Sequence, residues 1–219
     1  MSFSKLVELL VQPTIETLYM VAISSFFAIL LGLPLGILLY CTEENSLFSH
    51  KHIYKIVDGL VNICRSFPFI ILMILLFPLS RFIVGTTIGT TATIVPLSIG
   101  AAPFVGRVVE SSLKEVPKGI LEASISMGTS PKDIILKVLL PEALPSLILG
   151  LTLTVINIVG YSAMAGAIGG GGLGDLAIRY GFHRFQTEVM IGSVVVIIGI
   201  VQIIQYIGNF AAKKILQTR

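Results

Sequence analysis

The stretch VMIGSVVVIIGIVQIIQYIGNFAA, Val189 to Ala212, carries no charged residue. It exceeds the roughly 20 residues that a helix needs to cross about 30 Å of hydrocarbon. Three other runs are equally free of charge: Thr17 to Thr42, Phe82 to Gly106 and Ala143 to Gly174. Around them the chain of 219 residues is 54% hydrophobic and only 12% charged, where a soluble domain is charged at roughly a quarter of its positions. So little polar surface cannot cover a water-soluble globule, and the fold class expected is an all-α integral membrane protein.

A fifth span is needed but less clean. The uncharged stretch between Arg65 and Arg81 makes only about 22 Å of helix, so the span must reach back to about Ile56. It then takes in Asp58 and Arg65, seven residues apart on one helical face, at the membrane edge or against protein. The expected spans are residues 17–41, 56–80, 84–110, 142–168 and 188–211, within a single transmembrane domain over 1–219. The first apolar run is not followed by an evident cleavage site, so it is expected as a retained helix. Neither Cys41 nor Cys64 has a metal-ligand spacing, and both read as small buried apolar residues.

Five spans put the termini on opposite sides, and the lysines and arginines divide unevenly between the two sets of loops. One set holds Lys51, Lys55, Arg65, Arg107, Lys114, Lys118, Lys132, Lys137, Lys213, Lys214 and Arg219. The other holds Lys5, Arg81, Arg179 and Arg184. Cytoplasmic loops are the cation-rich ones, so the N-terminus is expected outside and the C-terminus in the cytoplasm. Anionic lipid headgroups and this orientation account for the net charge of +3 with no nucleic acid as partner.

The longest cytoplasmic loop, Arg107 to Pro141, is punctuated like two short helices at an angle. Pro117 and Gly119 break the preceding helix, and Gly128 ends a helical stretch from Ile120 to Met127. Thr129 or Ser130 can cap a second helix, Pro131 suits its first turn, and Asp133 adds negative charge at its N-terminal dipole. Pro141 and Pro145 are expected to bend the entry into the next span. A rigid, partly apolar helix outside the bilayer suits insertion into a groove of another protein.

These residues carry a family resemblance. Glu122-Ala123-Ser124, three residues, Gly128, nine residues, then Val138-Leu139-Leu140-Pro141 resembles the E-A-A loop of ABC importer permeases, with Ser124 for the second alanine and Val138 for isoleucine. The resemblance implies that Ile120 to Gly128, within a coupling segment 118–137, is a coupling helix docking on a cytoplasmic ATPase. Glu122, Ala123, Ser124, Met127, Gly128, Leu140 and Pro141 are then the ATPase-coupling residues. The chain has no G-x-x-x-x-G-K-[ST] loop, so ATP and Mg are expected only in partner ATPase subunits, with no cofactor and no catalytic residue on this chain.

The G-x-G-x-x-G of Gly169, Gly171 and Gly174 follows a membrane helix instead of a strand, which excludes a dinucleotide site. It reads either as a turn ending the fourth span or as a place to receive substrate from an external partner. Just before it, Ser162, Gly166 and Gly170 recur every four residues and make a small-residue stripe where two backbones could approach, here considered at a dimer axis. Asn157, Tyr161, Ser162, Met164 and Gly166 are the candidate pathway residues. Met164 is the expected apolar gate, and Asn157 is expected to bond a neighbouring helix. Core packing is the competing explanation for each of them.

The segment Ser162 to Phe185, and Arg65-Ser66-Phe67-Pro68-Phe69-Ile70-Ile71-Leu72, look like the corresponding regions of methionine-importer permeases. That likeness implies a homodimer in the bacterial plasma (inner) membrane, two ATPase copies and an external methionine-binding lipoprotein. The alternative is a self-sufficient ion-coupled secondary amino-acid carrier, which would need ionisable groups or an inverted repeat at the midplane. The four long uncharged runs offer neither. A membrane scaffold or enzyme would need a catalytic or metal cluster, and His50, His52 and His183 form none.

Overall fold

The computed structural model describes residues 3–44, 46 and 48–217, and Arg219, counted above as cytoplasmic, lies outside them. Among the described residues the chain is helical throughout its ordered elements. α1 (Phe3–Thr42) leads to α2 (Lys51–Ser66), α3 (Phe69–Leu75) and α4 (Phe77–Val84). α5 (Thr90–Lys114) precedes α6 (Lys118–Ser126) and α7 (Pro131–Asp133), which runs through a π-helical segment (Ile134–Leu139) into α8 (Leu140–Gly166). α9 (Gly172–Leu176), a second π-helical segment (Ala177–Phe182) and α10 (Thr187–Gln217) complete it. Four helices are long and apolar enough to span, and a fifth span results if the bent pair α2 and α3 is counted as one.

α5 is the central helix: 67% of its apolar window is buried, against 17% for α10 on the periphery. Leu97, Ala101, Val105, Val109 and Leu113 line up along it and pack into one core with Met20 and Ala28 of α1, Leu147 and Ile158 of α8, and Ile200 of α10. α1 crosses α5 closely because Gly32 and Gly36 carry no side chain. A Cβ at Gly32 would stand 2.4 Å from Val105 Cβ, and one at Gly36 would stand 2.5 Å from the Gly106 carbonyl. Small residues four apart allow this approach where lipid offers no hydrophobic drive for association. At 40 residues, about 60 Å, α1 exceeds the hydrocarbon thickness, and it starts well before the expected position 17.

The expected span over 56–80 differs most. Its two halves, α2 and α3, meet at 104° instead of forming one straight helix. Pro68 is the cause: it lacks an amide proton and drives Phe67 into extended conformation, with ψ 132°. Residues 82–84 belong to α4, Gly85 to Gly89 turn the chain, and α5 begins only at Thr90. At the other proline pair the helix continues. Pro141 and Pro145 do not interrupt the chain: residues Pro131–Gly166 form one continuous helix. The wider π turn before Pro141, where the Leu140 amide reaches back to the Ile135 carbonyl, accommodates the proline ring without a break.

Candidate coupling and translocation sites

At the cytoplasmic end, α6 stands outside the bundle with one face fixed and the other free. Leu121 packs on the core, and Ser124 is 5% exposed. Glu122, Ala123, Ile125 and Met127 are exposed, Met127 to 76%. The Ser124 hydroxyl donates to the Ile120 carbonyl of its own helix at 2.8 Å, so serine is accommodated where the family pattern has alanine. Gly128, at φ 73°, closes the helix: its amide donates to Ile125 O at 2.9 Å, and the Thr129 amide to Ser124 O at 3.2 Å. Of the two capping candidates, Ser130 is the cap. Its hydroxyl accepts from the Asp133 amide at 3.2 Å and donates to Asp133 Oδ2 at 2.8 Å. Lys137 then pairs with Asp133 at 2.7 Å. Leu140 is half-buried and Pro141 exposed on the helix that leaves this segment.

Above α6 lies a charged network that the sequence did not disclose. Arg107 of α5 contacts Asp58 of α2 and donates to Asn62 Oδ1 at 2.8 Å and Glu110 Oε2 at 2.7 Å. Lys114 bonds both Glu110 at 2.9 Å and Glu43 at 2.8 Å. Glu110, only 2% exposed, is thus held by two cations, and Tyr54 donates to it at 3.4 Å. The ends of α1, α2 and α5 are clamped together. The available signal was Arg107, Glu110 and Lys114 on one helical face; their partners on α1 and α2 are far away in sequence.

The candidate pathway residues separate into two faces of α8. Asn157 and Met164 are exposed, Met164 to 47%, on a stripe with Leu153 and Gly160. Tyr161 is on the adjoining line and stacks on Phe69 of α3, with ring centroids 4.1 Å apart. Among the described residues, Asn157 has no hydrogen bond to a neighbouring helix. Ser162 and Gly166 point away from that stripe: Ser162 is 2% exposed and donates to Val159 O at 2.7 Å. The close backbone approach at Gly166 is made within the chain, since a Cβ there would lie 2.1 Å from the Asp175 amide nitrogen of α9. α9 folds back this way because Gly169, Gly171 and Gly172 all take positive φ.

That turn is also tied to α1. The Gly172 amide donates to Glu16 Oε2 and the Leu173 amide to Thr17 Oγ1, each at 2.9 Å, while the Gly89 amide donates to Gly169 O at 2.9 Å. The outer ends of α1, α5 and α8 therefore meet at the glycine turn. One further correction concerns the cysteines: Cys41 is buried, but Cys64 is exposed. With Arg65, Phe69, Gly100, Phe104 and Tyr161 it lines a cavity of about 230 Å³.

Comparison with known proteins gives a consistent picture. A family described as binding-protein-dependent transport system inner membrane component matches residues 32–217. A probable D-methionine transport system permease protein MetI of Vibrio cholerae is 51% identical over 208 residues, 95% of this chain and 92% of that protein. The D-methionine transport system permease protein MetI of Escherichia coli K12 is 52% identical over 158 residues, 72% and 73% of the two chains. A chain from an inward-facing structure of the MetNI methionine ABC transporter superposes with a TM-score of 0.96 at 46% identity, covering 98% of this chain and 99% of that one. An amino acid ABC transporter solved with histidines shares the fold at TM-score 0.79 and 19% identity. A match spanning most of the sequence, on a bundle with this exposed cytoplasmic helix, makes the chain a multi-pass inner-membrane permease that belongs to the family of binding-protein-dependent transport system inner membrane components.

Proposed function

We propose that the chain is the permease of an ATP-driven methionine importer, working as a homodimer with two cytoplasmic ATPase subunits and an external methionine-binding lipoprotein. ATP and Mg would be held by the ATPase partners. The observation that carries the reading is α6, whose outer face, with Glu122, Ile125 and Met127, is free while its inner face is pinned to the bundle. Such a half-buried helix can receive a push from a partner and pass it inward. The permeases called D-methionine permeases, about half identical to this chain, support methionine as the substrate class.

In this reading the segment 118–137 couples the single membrane domain to the ATPases, with Leu140 and Pro141 at its exit. The exposed stripe with Asn157 and Met164, and Tyr161 beside it, faces the pathway. Closure of the ATPases would draw the coupling helices together and open the pathway outwards; hydrolysis would reset it inwards. Ser162 and Gly166 support the stripe from behind by seating α9. Specificity resides largely in the external protein, and the permease gates.

The test is uptake of radiolabelled methionine into proteoliposomes holding this chain and its ATPase, with binding protein outside and ATP inside. Uptake requiring all three, and competed by unlabelled methionine, is the expected result. ATP-dependent import of a different amino acid would retain the machine and remove methionine. Uptake without the ATPase would overturn the reading in favour of an ion-coupled carrier.

A further inference from the structure

Arg65 occupies an unusual position. It sits at the C-terminal end of α2, just before the bend at Pro68, and its guanidinium lies over the ring of Phe104 at 6.0 Å from the centroid. Phe104 lies within the uncharged run of α5, one helical turn before Arg107, and Arg65 itself is exposed. Arg107 has its carboxylates; among the described residues, Arg65 has no carboxylate within ion-pair distance. An exposed guanidinium with no fixed carboxylate keeps its N–H donors open to a passing anion.

The cavity beside it is walled by aromatic rings: Phe69 and Tyr161 in parallel stack, and Phe104 under the guanidinium. Its volume of about 230 Å³ is below the roughly 300–1,000 Å³ of sites for drug-sized molecules and suits one small solute. Tyr161 lies one turn of α8 from both Asn157 and Met164, so the cavity adjoins the exposed stripe.

We propose that this cavity is a transit station for the substrate inside the permease, in which Arg65 holds the α-carboxylate while Phe69, Phe104 and Tyr161 receive an apolar side chain. The proposal rests on the amino-acid import reading and adds a site to it. A planar guanidinium matches a carboxylate through two parallel hydrogen bonds, and thioether sulfur makes favourable contacts with aromatic rings. An ion pair made by an exposed guanidinium is weak, so a passing zwitterion is held only transiently and the station is loaded and emptied without a stable trap.

Cys64, exposed in the same lining, reports occupancy. In the permease–ATPase complex in lipid nanodiscs, the rate at which methyl methanethiosulfonate modifies the Cys64 peptide is followed by mass spectrometry. Methionine at roughly ten times its dissociation constant should slow the reaction about tenfold. Methioninol, which keeps the thioether and amine but lacks the carboxylate, should leave the rate unchanged. Arg65→Gln should remove methionine protection and Arg65→Lys should keep part of it. Equal protection by both compounds, no protection by methionine, or full protection in Arg65→Gln would each overturn the station. The comparison of methionine with methioninol uses the unsubstituted chain, so it stands even if a variant misfolds. Failure of methionine uptake in proteoliposomes with Cys64 protection retained would count against the import reading and leave the pocket in place.

Discussion

At Ser124 and Gly128, neighbouring positions of one motif have opposite tolerances. Ser124→Ala removes a hydroxyl bonded only within its own helix, so stability and uptake should stay within about 0.5 kcal/mol and twofold of the parent. Gly128→Ala puts a Cβ into left-handed backbone where nothing else lies within 4 Å, so the strain is purely conformational. It should cost about 1–2 kcal/mol locally and weaken ATPase retention on a pull-down. The glycine was legible in the sequence because its helix-ending role depends on its immediate neighbours. Gly32 and Gly36 were not, since what they touch is on α5. Gly36→Leu should overpack that crossing by about 1–3 kcal/mol or more and lower the melting temperature in detergent by about 2–4 °C per kcal/mol.

Among the elements, the short helix α6 was readable and the second span was not. α6 and the Ser130 cap follow from local punctuation, which one sequence carries in full. The bend at Pro68 went unread because apolar content measures whether a segment tolerates lipid and says nothing of its direction; Pro68 itself was the available signal. The small-residue stripe shows a related limit. Ser162 and Gly166 correctly indicated close packing, but spacing cannot say whether the second backbone belongs to another copy or to α9. Two predictions belong here. Glu122→Lys combined with Gly128→Trp should abolish copurification of the ATPase and ATP-driven uptake while the permease still inserts. Arg107→Met should leave Asp58 without its cation and loosen α2 from α5, costing about 3 kcal/mol, seen as an earlier thermal transition.

For the whole molecule, the alternating direction of the long helices gathers Glu16, Gly89 and Gly169 to Gly172 at one end and Glu43, Lys114 and α6 at the other. With the cation bias this sets the C-terminus in the cytoplasm. In a Cys41→Ser, Cys64→Ser background, Phe185→Cys should react with a membrane-impermeant maleimide in intact spheroplasts. Leu216→Cys should react only after permeabilisation. The reverse pattern would invert the topology. Fold class and orientation were legible because they are sums over many residues, and errors at single helices cancel. The proposed pathway was less so, because Asn157 and Met164 are exposed and no contact within the described residues fixes what they face.

The unbroken helix from Pro131 to Gly166 carries a mechanical consequence. Met164 lies about 50 Å along this rod from the Ser130 cap, so a pivot of only about 5° at the cytoplasmic end sweeps the far end through roughly 4 Å, the width of a side chain. The proposed coupling segment and the proposed gate would then be two ends of one lever, with small displacements at the fulcrum amplified by length alone.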